Sequence, residues 1–268
     1  MMALPDCQTI ALEREGRILR LTLNRPEVRN AMNRQMVAEL DAVITALADE
    51  RDLSVVVLRG AGGHFCAGGD LRDMSSQNDE DDPDASLRSF NRKFGAMLMA
   101  IEALPQIIVA VVEGTVRGGG MGIVAVSDVA LTTTDVTFAM PEVTLGLPPA
   151  QIAPFVTRRI GLTQARRLTL TGERVDAESA RKMGFVHEVE PDTTALEARL
   201  EKLLAQIRRT APGAVGGTKP LVLGTGVVPM PELLDRAAGV FADCVQSAEG
   251  REGLAAFAEK RKPAWAEE

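Results

Sequence analysis

Two short β-branched runs, each passing directly into a cluster of glycines, limit what this chain can fold into more than any other feature. Val55-Val56-Val57-Leu58 is followed by Gly60, Gly62, Gly63, Gly68 and Gly69. The run from Ile107 to Val112 is followed by Gly114, Gly118-Gly119-Gly120 and Gly122, then a second extended stretch, then Met140-Pro141-Glu142. Uninterrupted apolar runs of this length suit strands buried on both faces. Glycines straight after a strand mark tight turns with positive φ, or backbone that something else approaches closely. Two readings of these turns stand side by side. They are structural corners, or they present bare N–H groups that converge on one oxygen. Phosphate-binding readings fail. Gly60-x-Gly62 meets Phe65 where a dinucleotide fingerprint needs glycine, Gly118-x-Gly120 meets Ile123, and no Gly-Lys-Ser/Thr follows either turn.

The remaining pattern alternates strand and helix. Thr9–Leu12 and Ile18–Leu23 read as two strands around Glu15-Gly16. Met32, Met36, Leu40, Val43 and Leu47 recur at helical spacing, which predicts a crossover helix over about 33–49 leading to the strand at Val55. Strand, helix, strand in that order argues a parallel sheet with right-handed connections. A helix start is expected over 70–75, and an acidic, solvated loop over 78–84. A helix over 86–103, ended by Pro105, leads to the strand at Ile107. Residues 124–132 and 136–139 continue the alternation. Further helices are expected over 161–171, with Thr163 as N-cap, and over 176–183, with Asp176 as N-cap and Gly184 as stop. A last strand is expected over 185–189. Thr194-x-x-Glu197 reads as a capping box opening a helix to about Arg209. The Gly/Pro-rich segment 211–231 reads as irregular, and two helices over 232–246 and 251–262 close the chain. The division expected is a core over 1–200 and a helical C-terminal oligomerisation region over 201–268.

Composition removes several function classes. Net charge is −7, Tyr is absent and Trp occurs once, so neither a basic face nor base-stacking aromatics point to nucleic acid. Cys7, Cys66 and Cys244 are odd in number and widely spaced, which fits a reducing, cytoplasmic compartment and neither a disulfide framework nor a zinc site. The opening residues carry no basic and apolar leader pattern, and no apolar run reaches membrane-spanning length. No metal-ligand spacing is present.

One carboxylate stands out. Glu142 follows a strand in the apolar setting Phe138-Ala139-Met140-Pro141-Glu142-Val143. Burial there raises its pKa and suits proton transfer near neutral pH. The alternative is a surface glutamate in a turn. His64 adjoins the first glycine turn and reads as a structural or rim residue. His187 reads as structural, and Cys66 as a packed thiol without a histidine–acid pair beside it.

Taken together, these residues carry a resemblance. His64-Phe65-Cys66-Ala67-Gly68-Gly69-Asp70-Leu71 resembles the F-x-A-G-x-D-[IL] signature of the enoyl-CoA hydratase/isomerase (crotonase) superfamily. Asn24-Arg25-Pro26 with Asn30-Ala31-Met32 resembles its N-R-P-x-x-x-N-A-[LM] motif. Gly118-Gly119-Gly120, Ser127-Asp128, Pro141-Glu142, Leu145-Gly146 and Pro148 match its central block in order and spacing. The likeness spans residues 8–262. It implies an α/β fold, a crotonase-like spiral of ββα units with a helical C-terminal part, and assembly as a homotrimer or a hexamer. It implies an acyl-CoA substrate and no separate cofactor, since coenzyme A is part of the substrate. It further implies that the thioester oxygen is held by the N–H groups of Gly69 and Gly119. Ala67, Asp70, Leu71 and Arg72 would line the CoA channel, Val28 and Arg29 would lie near the adenosine end, and Glu142 would exchange a proton at the α-carbon.

One position departs from the pattern. The second glutamate of ordinary hydratases falls here on Gly122, so a two-glutamate mechanism is not available. Residues 148–156 and 158–167 are similar to the branched-glutaconyl-CoA hydratases, isohexenylglutaconyl-CoA-type. A distal carboxylate on such a substrate needs a cation, for which Arg117 is the candidate, with a surface or subunit contact as the alternative. The activity expected is hydration of a branched enoyl- or glutaconyl-CoA. Double-bond isomerisation, with Gly122 leaving room for a longer acyl chain, and non-catalytic acyl-CoA binding are the alternatives.

Overall fold

The computed structural model describes residues 4–70, 72–73 and 82–266. Leu71 and most of the acidic segment lie outside them.

The first two strands, β1 (Ile10–Glu15) and β2 (Ile18–Leu23), form an antiparallel hairpin across Gly16 at φ +55°. A 3₁₀ turn at Pro26–Val28 leads to α1 (Arg34–Leu47). The Asn33 side chain caps that helix by accepting the Met36 N–H at 2.9 Å. Then come β3 (Val55–Gly60), α2 (Pro83–Ala103), β4 (Ile107–Val112), β5 (Thr115–Arg117) and α3 (Gly119–Val126). They are followed by β6 (Val129–Thr133), β7 (Thr137–Ala139), α4 (Ala153–Thr171), β8 (Arg174–Asp176), α5 (Ala177–Lys182) and β9 (Glu188–Glu190). Four helices end the chain: α6 (Thr193–Ile207), α7 (Pro212–Gly224), α8 (Met230–Gln246) and α9 (Ala248–Ala258).

The strands make two sheets. The larger has the order β1-β2-β3-β4-β6-β9 and is parallel from β2 onward. The smaller has the order β5-β7-β8. Successive strands alternate between them, with β4 and β6 in the large sheet and β5 and β7 in the small one. The chain after β3 follows the same path, because Cys66 pairs in parallel with Val116 of β5. Each turn of the chain is therefore strand, strand, helix, stacked on the previous turn: the expected spiral.

Both faces of the large sheet are covered, as the unbroken apolar runs require. Val56, Leu58, Ile108 and Ala110 pack with α1, α2, α3 and α4. Val55, Val57, Val109 and Val111 pack under Leu196, Leu200, Leu204 and Ile207 of α6. Residue 200 thus sits within a helix that packs on the large sheet. The junction beyond it is held by Lys219 of α7. Its buried ammonium donates to Asp128 Oδ2 at 2.7 Å and to the Gln106 carbonyl at 3.1 Å.

Several expectations are corrected. The glycine turn after Gly118 opens the helix α3, which runs to Val126, so the extended stretch begins at Val129 and not at Val124. The helix is apolar on every side and buried from Gly120 to Val126, so it shows no amphipathic period. Residues 212–224 form α7 despite Pro220, because its glycines allow close contact: Gly216 lies against Pro105 and Gly217 against Val240. The helix expected from Gly161 begins at Ala153 and is broken at Gly161, φ +76°, so Thr163 is not its cap. The cap of α6 is Asp192, which accepts the Ala195 N–H, and not Thr194. Asp176 does cap α5, accepting the Ser179 N–H at 2.7 Å. Among the described residues, no helix is long and apolar enough to cross a membrane.

Candidate active site

The small sheet brings three chain segments to one edge. Cys66 pairs with Val116, and Val116 with Phe138. Hydrogen bonds from the Cys66 N–H to the Thr115 carbonyl, 3.0 Å, and from the Arg117 N–H to the Cys66 carbonyl, 2.9 Å, fix that register. All three segments run parallel, so all three leave the sheet at the same end. Gly69 comes three residues after Cys66, Gly119 three after Val116, and Glu142 four after Phe138. Spacing in the sequence thereby becomes proximity in space.

At that end the two glycine turns face one another. Gly68 adopts φ +102° and Gly118 φ +47°, both in the range that favours glycine. A Cβ on Gly118 would lie 3.4 Å from the Gly68 Cα. Gly119 opens α3, so its N–H has no acceptor inside the helix, and the helix dipole adds partial positive charge there. Gly69 pairs with Met32, whose N–H donates to the Gly68 carbonyl and whose carbonyl accepts the Asp70 N–H. Among the described residues, neither the Gly69 nor the Gly119 N–H has an acceptor. Met32 and Phe94 crowd the position that a Gly119 side chain would take, so apolar groups border the amides.

Glu142 lies in the 3₁₀ turn Pro141–Leu145, whose end is fixed by the Gly146 and Leu147 N–H groups donating to the Glu142 carbonyl. Its side chain is half-buried. Oε2 is buried and has no hydrogen-bond partner among the described residues, and burial pushes the carboxyl pKa up. Oε1 lies 2.9 Å from where a Cβ on Gly118 would be. The carboxylate therefore sits against the glycine turn and is not turned out to bulk water.

Gly122 is not an open position. A Cβ there would meet Ile152 Cγ2 at 2.7 Å and Leu98 Cδ1 at 3.0 Å. The expectation that Gly122 leaves room for a longer acyl chain is corrected: α2 and the start of α4 fill that space. Arg117 lies beside the first turn, its Cβ 3.7 Å from where a Cβ on Gly68 would be. Its guanidinium donates to the Thr137 carbonyl at 2.6 Å, the Thr137 hydroxyl at 2.9 Å and the Val116 carbonyl at 2.9 Å. Those contacts tie it to β7. Burial and nearby Arg174 lower its pKa.

The other sequence-predicted residues lie on two segments, the one that carries Gly69 and the turn at Val28 and Arg29. Asp70 is held by Arg25 at 3.0 Å, and burial is outweighed by the bonds it accepts from Arg25 and the Arg72 N–H, so its pKa falls. The Ala67 N–H donates to the Arg29 carbonyl at 2.9 Å. Arg29, in the left-handed region at φ +52°, is exposed, as is Arg72, and Val28 is half-buried. Leu71 lies outside the described residues.

Sequence reasoning gave Asn30 no role beyond its motif. It is fully buried at φ +57°, accepts the Arg25 N–H at 2.9 Å, and donates to the carbonyls of Ala61 at 2.9 Å and His64 at 2.6 Å. It ties the N-terminal loop to the loop before Cys66. The signal was an Asn at a position whose backbone needs αL. His64 Nδ1 is buried without a partner among the described residues and crowds Gly114, behind the corner between β4 and β5. His187 Nδ1 accepts the Ala130 N–H at 3.0 Å and its pKa is lowered by burial, which fits a structural imidazole. Cys66 is fully buried and its thiol is pushed up to about 12 by desolvation, so it is no nucleophile.

This arrangement can polarise a carbonyl at two amides while one acid exchanges protons beside it. Comparison with known proteins shows what the whole chain is similar to. The enoyl-CoA hydratase/isomerase family model matches residues 13–268. The 2,3-dehydroadipyl-CoA hydratase of Escherichia coli is 31% identical over 255 residues, covering 95% of this chain and 97% of that protein. Among solved structures, an enoyl-CoA hydratase/isomerase from Marinobacter aquaeolei is 46% identical with a TM-score of 0.94, covering 97% of this chain and all of that one. Pseudomonas aeruginosa AtuE is 52% identical with a TM-score of 0.94 at the same coverage.

Proposed function

The chain belongs to the enoyl-CoA hydratase/isomerase family, and from that premise we propose that it adds water across the double bond of an α,β-unsaturated acyl-CoA with one carboxylate as its only acid–base group. The observation that carries this reading is Glu142, half-buried, with an Oε2 that has no partner among the described residues, set against the turn that precedes the Gly119 amide. The Gly69 and Gly119 N–H groups hold the thioester oxygen and stabilise the enolate that forms when water attacks the β-carbon. Glu142 takes the proton from that water and returns a proton to the α-carbon. With Ile152 and Leu98 packed over Gly122, no second acid acts from that side. Coenzyme A enters as part of the substrate, and no further cofactor takes part.

The acyl group we propose is a branched enoyl or glutaconyl chain. The likeness to a relative named for a dehydroadipyl thioester supports a substrate with a distal carboxylate. Arg117, the candidate cation for it, has its guanidinium engaged by Thr137 and Val116. The Ala67–Arg72 loop and the Val28–Arg29 turn border the path proposed for coenzyme A. We propose assembly as a homotrimer or a hexamer. Val227, Leu234, Phe241 and Phe257 stand 72, 60, 71 and 86% exposed on or beside the C-terminal helices, and Leu233 is the only residue of α8 that is buried. The three unpaired cysteines support a reducing, cytoplasmic compartment.

Double-bond isomerisation is the second reading, favoured by the single acid, because shuttling a proton between two carbons needs only one. Turnover in H₂¹⁸O separates the two. A hydratase places the label in the hydroxyacyl product, and an unlabelled product with a shifted double bond would overturn hydration.

A further inference from the structure

The two glycine turns are joined through a single side chain. Cys66 lies in the strand segment before the first turn and is fully buried behind both. Its Sγ accepts the Gly68 N–H at 3.4 Å and lies 3.4 Å from where a Cβ on Gly120 would be. The thiol proton points at the Gly68 carbonyl, 3.8 Å away. A Cβ on Gly120 would lie 2.8 Å from the Cys66 Cβ, so the helix start is pressed onto this residue. Gly68 and Gly120 are the immediate neighbours of Gly69 and Gly119. One side chain therefore bonds to the residue before one of the amides proposed to hold the substrate oxygen and packs against the residue after the other.

We infer that Cys66 is a positioning residue: by holding the Gly68 amide and packing against Gly120 it sets the mutual aim of the Gly69 and Gly119 N–H groups. This inference rests on the oxyanion reading given under Proposed function. Sulfur suits the task because it is large and polarisable enough to fill the space beside Gly120 and is a weak acceptor for a long N–H contact. Its thiol does not ionise at working pH, so it adds no negative charge where an enolate oxygen must be stabilised. Serine has the same donor and acceptor types on a shorter reach and a smaller atom against Gly120. Alanine leaves the Gly68 amide without its acceptor.

The test compares wild type, Cys66→Ser and Cys66→Ala in two measurements. The first is kcat and KM for enoyl-CoA hydration. The second is the isotope-edited infrared frequency of a ¹³C-labelled thioester carbonyl bound to each protein, read in the Glu142→Gln background so that no turnover occurs. The inference expects kcat to fall about ten- to hundredfold in Cys66→Ala, below the roughly 10²–10³ loss for deleting an oxyanion donor outright. It expects KM to change by less than about threefold, since the ground state binds largely through coenzyme A. Cys66→Ser should fall between the two. The carbonyl frequency should move toward its free-solution value in the same order. A role confined to packing would lower the melting temperature and leave the frequency where it is. Should Cys66→Ala not fold, Cys66→Ser alone decides by the same two readings. Unchanged kcat and frequency in the folded variants overturn the inference. A wild-type carbonyl with no shift on binding overturns the oxyanion reading itself, and this inference with it, and is told apart by appearing before any cysteine is changed.

Discussion

Glu142 Oε1 lies 2.9 Å from the point where a side chain on Gly118 would begin. That contact joins the acid and the second glycine turn, and it explains why residue 118 must be glycine on two counts. Its φ of +47° disfavours any Cβ, and the space a Cβ needs is held by the carboxylate.

Gly118→Ala should therefore lower activity more than its effect on folding suggests. A non-glycine residue at positive φ costs about 1–2 kcal/mol of stability. Displacing Glu142 and the Gly119 amide together should lower kcat by about tenfold or more, judged against the ~10²-fold range of a single acid–base or oxyanion group. Steady-state kinetics beside a urea titration check it.

Replacing Gly122 by glutamate should not create a better hydratase. The new side chain would meet Ile152 and Leu98 at its first carbon, and overpacking of this kind costs about 1–3 kcal/mol. The expected result is a less stable protein with no gain in hydration rate. A gain would show that the α2–α4 contact yields readily.

Glu142 should also make stability depend on pH. Burial raises its folded pKa above the unfolded one, so the neutral acid is the form the fold prefers. The stabilisation from that preference is complete below the unfolded pKa and is lost as pH rises through the folded value. Glu142→Gln should thus melt higher than wild type at pH 8, with the gap closing near pH 4, at about the ordinary glutamate range. Thermal melts of both proteins across that window provide the check.

Legibility in the sequence was uneven for physical reasons. The large sheet was plain because its strands are covered on both faces and read as unbroken apolar runs, as at Val55 to Leu58. The amphipathic helices α1 and α2 were plain from their period. The glycine turns and Glu142 stood out because positive φ and an acid in an apolar setting are both uncommon. The helix α3 was not visible, since a helix buried all round has no polar face to set a period. Nor was α7, where glycine and proline signal a loop and only contacts with Pro105 and Val240 make a helix. The engagement of Arg117 by Thr137 depends on the parallel register of β5 and β7, which no local pattern encodes.

Asn30→Ala should loosen the loop that carries Gly69. Three hydrogen bonds from a fully buried amide are lost, two of them leaving carbonyls without their donor. At ~0.5–1.5 kcal/mol for each bond, a loss of about 3 kcal/mol is expected. Chemical denaturation measures it, and a change under about 1 kcal/mol would remove Asn30 as the tie between the two loops.

Lys219→Met should weaken the joint between the core and the appended helices. It leaves Asp128, 30% exposed, without its cation, and breaking a buried pair costs ~3–5 kcal/mol. Allowing for that exposure, about 2–3 kcal/mol is expected by urea unfolding, with sedimentation reporting whether the assembly survives.

The most direct test of the central claim is the hydration rate of Glu142→Gln, followed as loss of enoyl-CoA absorbance. Removing the single acid–base group should lower kcat about 10²–10⁴-fold while the folded protein persists. A variant that hydrates its substrate as fast as wild type would contradict the account.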